Sequence, residues 1–234
     1  MTAAGNLKPK LRRIIAALET AYGRPGLGAV AARKDPLSEL IFTILSQHTN
    51  DTNRDRAWEL LWKRLPSWEA IATAPRRRLE EAIRVGGLAP TKSRVIQEVL
   101  GQVRRTEGSY NLDRLHGLGM DEVEQILISF KGVGLKTIRC VQVFSLGQPA
   151  FPVDTHIFRI TKRLGLVPQK ANPEAAHRIM GALTPAADAL SFHVNLITHG
   201  RRVCKAQRPL CGTCVIRRMC EYYRTIGAKA ASSA

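Results

Sequence analysis

Acid is what this chain is short of. Asp and Glu total 19 against 36 Lys and Arg, leaving a formal charge of +17 and a pI near 10.4. From Ala189 to Cys220 there is no acidic residue, while Arg201, Arg202, Lys205, Arg208, Arg217 and Arg218 crowd the same stretch. Such a field favours a polyanionic partner, nucleic acid first. Long apolar runs are missing too. None approaches the ~20 residues that span a bilayer, so no membrane partner is expected. The opening MTAAGNLKPKLRR lacks the apolar core of a secretory leader, which points to a soluble protein in a reducing, cytoplasmic setting. Strand-like alternation is absent as well, as are internal repeats and long linkers.

What remains is helical periodicity. Leu11, Ile14, Ile15, Leu18 and Tyr22 follow the i, i+3, i+4, i+7 rule, as do Leu37, Leu40, Ile41, Ile44 and Leu45 after Pro36. Asp51 is placed to cap a helix bearing Trp58, Leu61, Trp62 and Leu65, whose two tryptophans, four residues apart, read as core packing. Further helices are predicted over Ser67–Thr73, Pro75–Val85, Thr91–Thr106, Met120–Phe130, Leu135–Leu146, Asp154–Gly165, Asn172–Leu183 and Pro185–Gly200. The class is all-α. With 234 residues there is room for one large domain or two small ones. Gly147-Gln148-Pro149 and Gly23–Gly28 are candidate hinges, and Ala228–Ala234 reads as a frayed tail.

Four of the five cysteines, Cys204, Cys211, Cys214 and Cys220, form a C-x6-C-x2-C-x5-C array. Thiols clustered this tightly in a reducing compartment hold metal. No histidine lies among them, so the ligands are all sulfur, which suits structural zinc or an iron–sulfur cluster; spacing leaves both open. Cys140 stands alone on an apolar helix face and reads as a small buried hydrophobe.

Two Gly-x-Gly turns occur, at Gly117–Gly119 and Gly132–Gly134. Around the second, an apolar helix ends at Lys131-Gly132-Val133-Gly134 and a new helix opens at once with Leu135-Lys136-Thr137. Amides at that helix start can bind a phosphate, a backbone contact without base specificity. Lys136, in the first turn, reads either as a phosphate-contacting lysine or as an amine nucleophile. The helix end, Lys131 and Arg139 would all lower its pKa toward the neutral form a nucleophile needs. Asp154, after Pro152-Val153, reads as the N-cap of a helix carrying Ile157, Ile160 and Leu164, and equally as a carboxylate able to stabilise a developing cation.

Taken together, Gly132-Val133-Gly134-Leu135-Lys136-Thr137, Val153-Asp154-Thr155-His156-Ile157-Phe158-Arg159, His199-Gly200-Arg201 and the cysteine quartet closely resemble the endonuclease III family of helix-hairpin-helix DNA glycosylases, over roughly Pro36 to Tyr222. The resemblance implies a six-helix barrel domain over 29–148 containing the hairpin, and a discontinuous cluster domain over 1–28 and 149–224, with the active site in the groove between them and a disordered tail over 225–234. It implies a [4Fe–4S] cluster on the four cysteines, and catalytic roles for Lys136 and Asp154. It also implies a monomer acting on duplex DNA with a damaged base or abasic site, nucleoid-associated if the source is prokaryotic. The activity implied is a bifunctional glycosylase and AP lyase that removes oxidised pyrimidines and nicks by β-elimination through a lysine Schiff base. A thymine or uracil mismatch glycosylase, or a non-catalytic iron–sulfur DNA-binding protein, are the rivals.

DNA contacts are expected from Lys131, Gly132, Val133, Gly134 and Thr137 at the hairpin, and from Arg201, Arg202 and Lys205 beside the cysteines. Two loops are expected to fill the space of a flipped base: Ser46–Asp51 with Gln47 and His48, and Gly86–Pro90 with Leu88, which matches the family's apolar wedge but reads equally as a core leucine. The chain departs from the family pattern at Lys131, where proline is usual, at Ile138 and Arg139, and at His48, where glutamine is common.

Overall fold

The computed structural model describes residues 7–25 and 35–225. The tail Ala228–Ala234, positions 226–234 of the disordered stretch expected over 225–234, and the 26–28 end of the Gly23–Gly28 hinge lie outside the described residues, whereas Thr225 is described and helical. Within them, regular structure is helical, with eleven α-helices, short 3-10 turns and no strand. None of these helices is long and apolar enough to cross a membrane. The chain divides into two compact units, with the switch at Gly147/Gln148. Unit 1 holds described residues 7–25 and 148–225; unit 2 holds 35–147.

Unit 2 is built from α2 (Pro36–Leu45), α3 (Asp51–Arg64), α4 (Trp68–Thr73), α5 (Arg76–Ile83), α6 (Ala89–Glu107), α7 (Met120–Ile128) and α8 (Leu135–Phe144). That is seven helices among the described residues, where the resemblance implies six. Pro75 accounts for the break between α4 and α5: it drives Ala74 into extended backbone, ψ 143°. Helix α2 is the spine. Asp35 caps it by accepting from the amides of Leu37 and Ser38, Pro36 sits in its first turn, and nine of its residues are buried. It packs chiefly on α8. The cap of α3 is Asn50 instead of Asp51: the Asn50 side chain accepts the Asn53 amide at 2.8 Å. Asp51 thereby becomes the first helical residue, where its charge faces the positive helix end. Trp58 meets Phe42 edge-on at 5.5 Å and Trp62 at 5.6 Å, and Trp62 meets Trp68 at 4.7 Å; Trp58 packs against the core as its spacing predicts, whereas Trp62 is half-buried and joins the aromatic cluster outside it.

Unit 1 joins α1 (Leu7–Tyr22) to α9 (Thr155–Leu164), α10 (Pro173–Leu183) and α11 (Ala189–Arg202). Leu11, Ile14, Ile15 and Leu18 form the buried stripe of α1, each worth roughly 1.5–3 kcal/mol of burial. That stripe packs mainly against α11.

One buried cation stands out in unit 2. Lys92 lies on the buried stripe of α6, only 2% exposed, with Nζ donating to Leu45 O at 2.7 Å and Gly86 O at 2.8 Å. Burial pushes its pKa down from 10.5 to about 8. Between those values the unfolded chain binds more protons than the folded one, so native stability rises with pH across that window. In paired denaturant titrations the wild type should therefore gain stability relative to Lys92→Met as pH goes from about 8 to 10.5. A constant difference would show that the ammonium is not desolvated.

Candidate nucleic-acid interface

The two Gly-x-Gly turns share a spacing and differ in chemistry. At Gly119 the helix start is acidic: Glu122 folds back and its carboxylate accepts the Gly119 amide at 2.8 Å. That turn repels anions. At Gly134 there is no side-chain cap and no acid in the first turn of α8, so the amides of its opening residues lack an acceptor from the cap. Gly132 must be glycine on two counts. Its φ is +85°, and a Cβ there would stand 2.9 Å from a Val95 methyl on α6. A Cβ at Gly134 would meet nothing within 4 Å, so the backbone is open where a phosphate could approach.

Side chains around this turn split into two sets. Lys131 is exposed, whereas Val133 and Thr137 are only 5% and 3% exposed. Val133 and Thr137 therefore offer a partner their backbone alone, a narrower contact than whole-residue binding. The hairpin is also tied across its two helices. Gln142, fully buried, donates from Nε2 to Met120 O at 2.8 Å and accepts from Arg139 at 2.6 Å, and Arg139 pairs with Glu124 at 2.6 Å. The Arg139 cation, expected to press on Lys136, is instead neutralised by a carboxylate of α7. Lys136 is half-buried and forms no ion pair among the described residues. One turn along α8 lies Cys140, buried as expected; desolvation pushes its thiol up to about 11, against the pull of the neighbouring Lys136 ammonium.

The two loops of unit 2 present His48 and Leu88. Both are exposed and both hold left-handed backbone, φ 50°. Leu88 is 51% exposed, so it is not a core leucine. Gln47 beside His48 is half-buried.

In unit 1, Asp154 is the N-cap of α9: Oδ1 accepts the Ile157 amide at 2.8 Å, and Oδ2 accepts no hydrogen bond among the described residues. The segment leading to it, Phe151-Pro152-Val153, is buried and held by two histidines that the sequence reading passed over. His177 Nδ1 lies 3.2 Å from the Val153 amide, and His193 Nδ1 lies 3.0 Å from Pro152 O. Gly200 lets α11 close on α9, since a Cβ there would fall 2.8 Å from His156 Cβ. Burial lowers the His156 pKa, with Asp154 opposing.

Two arginines of α9 clamp the start of the cysteine segment. Arg159 donates to Cys204 O at 2.8 Å and to Gly200 O at 3.2 Å; Arg163 donates to Lys205 O at 2.8 Å and to Cys204 Sγ at 3.3 Å. Arg201, Arg202 and Lys205 are exposed. Cys204, Cys211, Cys214 and Cys220 all line one cavity with Arg163, Arg217 and Tyr222 and with no carboxylate. Burial pushes the Cys214 thiol up to about 11, and the other three cysteines add to the shift. His199 Nε2 stands 3.4 Å from Cys214 Sγ, and Tyr22 hydrogen-bonds its Nδ1 at 2.8 Å. Among the described residues no group of three or more His, Cys, Asp or Glu is set to hold a metal ion.

Residues 41–186 match the family described as HhH-GPD superfamily base excision DNA repair protein. A protein of Arabidopsis thaliana named as a DNA glycosylase is 40% identical over 167 residues, 70% of this chain and 56% of the relative, so the chain spans little more than half of that protein. Endonuclease III of Thermotoga maritima is 32% identical over 193 residues, 82% of this chain and 86% of the relative. Among solved structures, a non-covalent endonuclease III–DNA complex matches with a TM-score of 0.79 at 25% identity, over 94% of this chain and 98% of that one.

The glycines give a graded test. Gly132→Ala and Gly200→Ala should each cost about 1–3 kcal/mol of stability, through overpacking at both sites and backbone strain at the first. Gly134→Ala should stay within about 0.5 kcal/mol. Chemical denaturation of the three variants checks the ranking.

Proposed function

The chain belongs to the HhH-GPD superfamily of base excision DNA repair proteins, with endonuclease III among its relatives, and on that premise we propose that it is a bifunctional DNA glycosylase and abasic-site lyase removing oxidised pyrimidines from duplex DNA. Lys136 carries the reading. It is an amine without an ion-pair partner among the described residues, in the first turn of a helix that bears neither acid nor side-chain cap. Phosphate binding alone would be served by the amides and Lys131.

The hairpin amides hold a backbone phosphate, and the exposed basic residues of unit 1 add neutralisation. The damaged nucleotide leaves the stack at a cost of a few kcal/mol, lowest where pairing is already weak. Lys136 Nζ, as the free amine, adds to the sugar C1′ while the bond to the base breaks and the base departs with the electron pair. The new ammonium sheds a proton, the sugar ring opens, and an iminium links enzyme and DNA. Loss of a C2′ proton then expels the 3′ phosphate and cuts the strand. Asp154 Oδ2, unspent on the cap, sets negative charge against the cationic sugar.

Cys204, Cys211, Cys214 and Cys220 would hold a [4Fe–4S] cluster. Support comes from the all-sulfur donor set around one cavity and from the absence of a carboxylate in that lining. The cluster would supply a cross-link that fixes the basic segment, and no step of the reaction runs through it.

Borohydride should trap wild type on an abasic-site duplex and fail to trap Lys136→Ala. Asp154→Asn should bind DNA but cleave about 10²-fold more slowly in single turnover. A wild type that never crosslinks would remove the lyase. A panel of duplexes bearing thymine glycol, uracil or a G·T mismatch should show thymine glycol cut fastest, and preference for a mismatch would move the substrate assignment. For the cofactor, the purified protein should contain iron and acid-labile sulfide in equal amounts, both lost in Cys214→Ser. One bound zinc without iron would overturn the cluster.

A further inference from the structure

Lys92 is a buried cation that the reaction above does not use, and its position explains two strained loops. Its ammonium bonds two helix-end carbonyls at once: Leu45, last residue of α2, at 2.7 Å, and Gly86, last residue of the 3-10 turn Arg84–Gly86, at 2.8 Å. A cation is the group those negative helix ends call for. Three residues past Leu45 stands His48, and two past Gly86 stands Leu88. These are two of the three non-glycine residues with positive φ among the described residues. Such backbone persists only where its surroundings hold it.

The loops also run close together. A Cβ at Gly87, φ +72°, would lie 3.8 Å from His48 O, and one at Gly86 would lie 3.1 Å from Ala57 Cβ and 4.0 Å from Lys92 Nζ. Lys92 is itself anchored, its amide donating to Leu88 O at 2.9 Å in the first turn of α6. One residue therefore joins the wedge loop by its backbone, the same loop again by its ammonium, and the neighbouring loop through Leu45.

We propose that Lys92 is a positioning residue that locks the loop after Leu45 to the turn at Gly86, so that His48 and Leu88 enter the DNA base stack as one rigid wedge. This rests on the reading that these loops meet DNA. It concerns the geometry of insertion and leaves the amine chemistry of Lys136 untouched.

Two measurements test it. In native-state hydrogen exchange on the wild type, amides of residues 46–50 and 86–88 should open with one shared free energy. In Lys92→Met both sets should exchange at least about tenfold faster. Binding to a duplex carrying a tetrahydrofuran abasic analogue is then compared with binding to an intact duplex. Lys92→Met and Leu88→Ala should each lower the preference for the analogue about tenfold, and the double variant should fall no more than about threefold below either, because both act through one wedge. Losses that multiply, or loops that exchange independently in the wild type, would overturn the clamp; the exchange result decides even if Lys92→Met does not fold. A wild type with no preference for the analogue would instead overturn the functional reading itself, which is a distinguishable outcome.

Discussion

Gly132 approaches Val95 too closely for any side chain at 132, and this one contact fixes where the hairpin turn lies on unit 2. Val95 belongs to the opening turns of α6, and so does nearly everything else that shapes this side of the unit. Leu88 is the N-cap of α6, and Lys92 and Val95 follow within its first two turns. The first presents an apolar side chain to solvent, the second fastens two loops, and the third seats the hairpin. The start of a single helix thus sets the relative placement of three separate backbone turns. Its rigidity comes from below, where Ile96, Val99, Leu100 and Val103 are sunk in the core.

Charge follows a division of labour in unit 1. Arg159 and Arg163 are spent inward, on the carbonyls of Gly200, Cys204, Lys205 and Ala206. Those bonds shape the basic segment before any ligand arrives. Arg201, Arg202 and Lys205 remain at the surface. A count of positive residues in the sequence treats both sets alike, although the first is turned inward and the second lies at the surface.

Helices and their ends were legible because their causes are local. The apolar stripe of α1, Pro36 in the first turn of α2 and Gly165 closing α9 are all short-range signals. So was the hairpin, since a Gly-Val-Gly turn with a lysine behind it needs no distant partner to be recognised. Contacts across the fold were less accessible. Arg139 reads as a neighbour of Lys136 from spacing, but its ion-pair partner Glu124 lies on another helix. Asp51 reads as a cap because aspartate caps well; Asn50, one residue earlier, takes the place by geometry. His177 and His193 carry no pattern at all, since their work is to hold Phe151-Pro152-Val153 from elements far along the chain. Lys92 is the exception that could have been found: it sits on the same stripe as Ala89, Ile96 and Val99, where a lysine is out of place unless something binds its ammonium.

The split course of the chain has a consequence for how the molecule is made. Unit 2 is a single continuous stretch, whereas α1 must pair with α10 and α11, encoded after it. During synthesis from the N-terminus, α1 therefore emerges with Leu11, Ile14, Ile15 and Leu18 unpartnered and stays so until the last third of the chain is out. That packing joins residues far apart in sequence, and closing so long a loop slows the docking of α1 relative to local contacts. A chain interrupted before α11 would hold a formed hairpin and a first helix without its main partner, a species prone to stick to its neighbours.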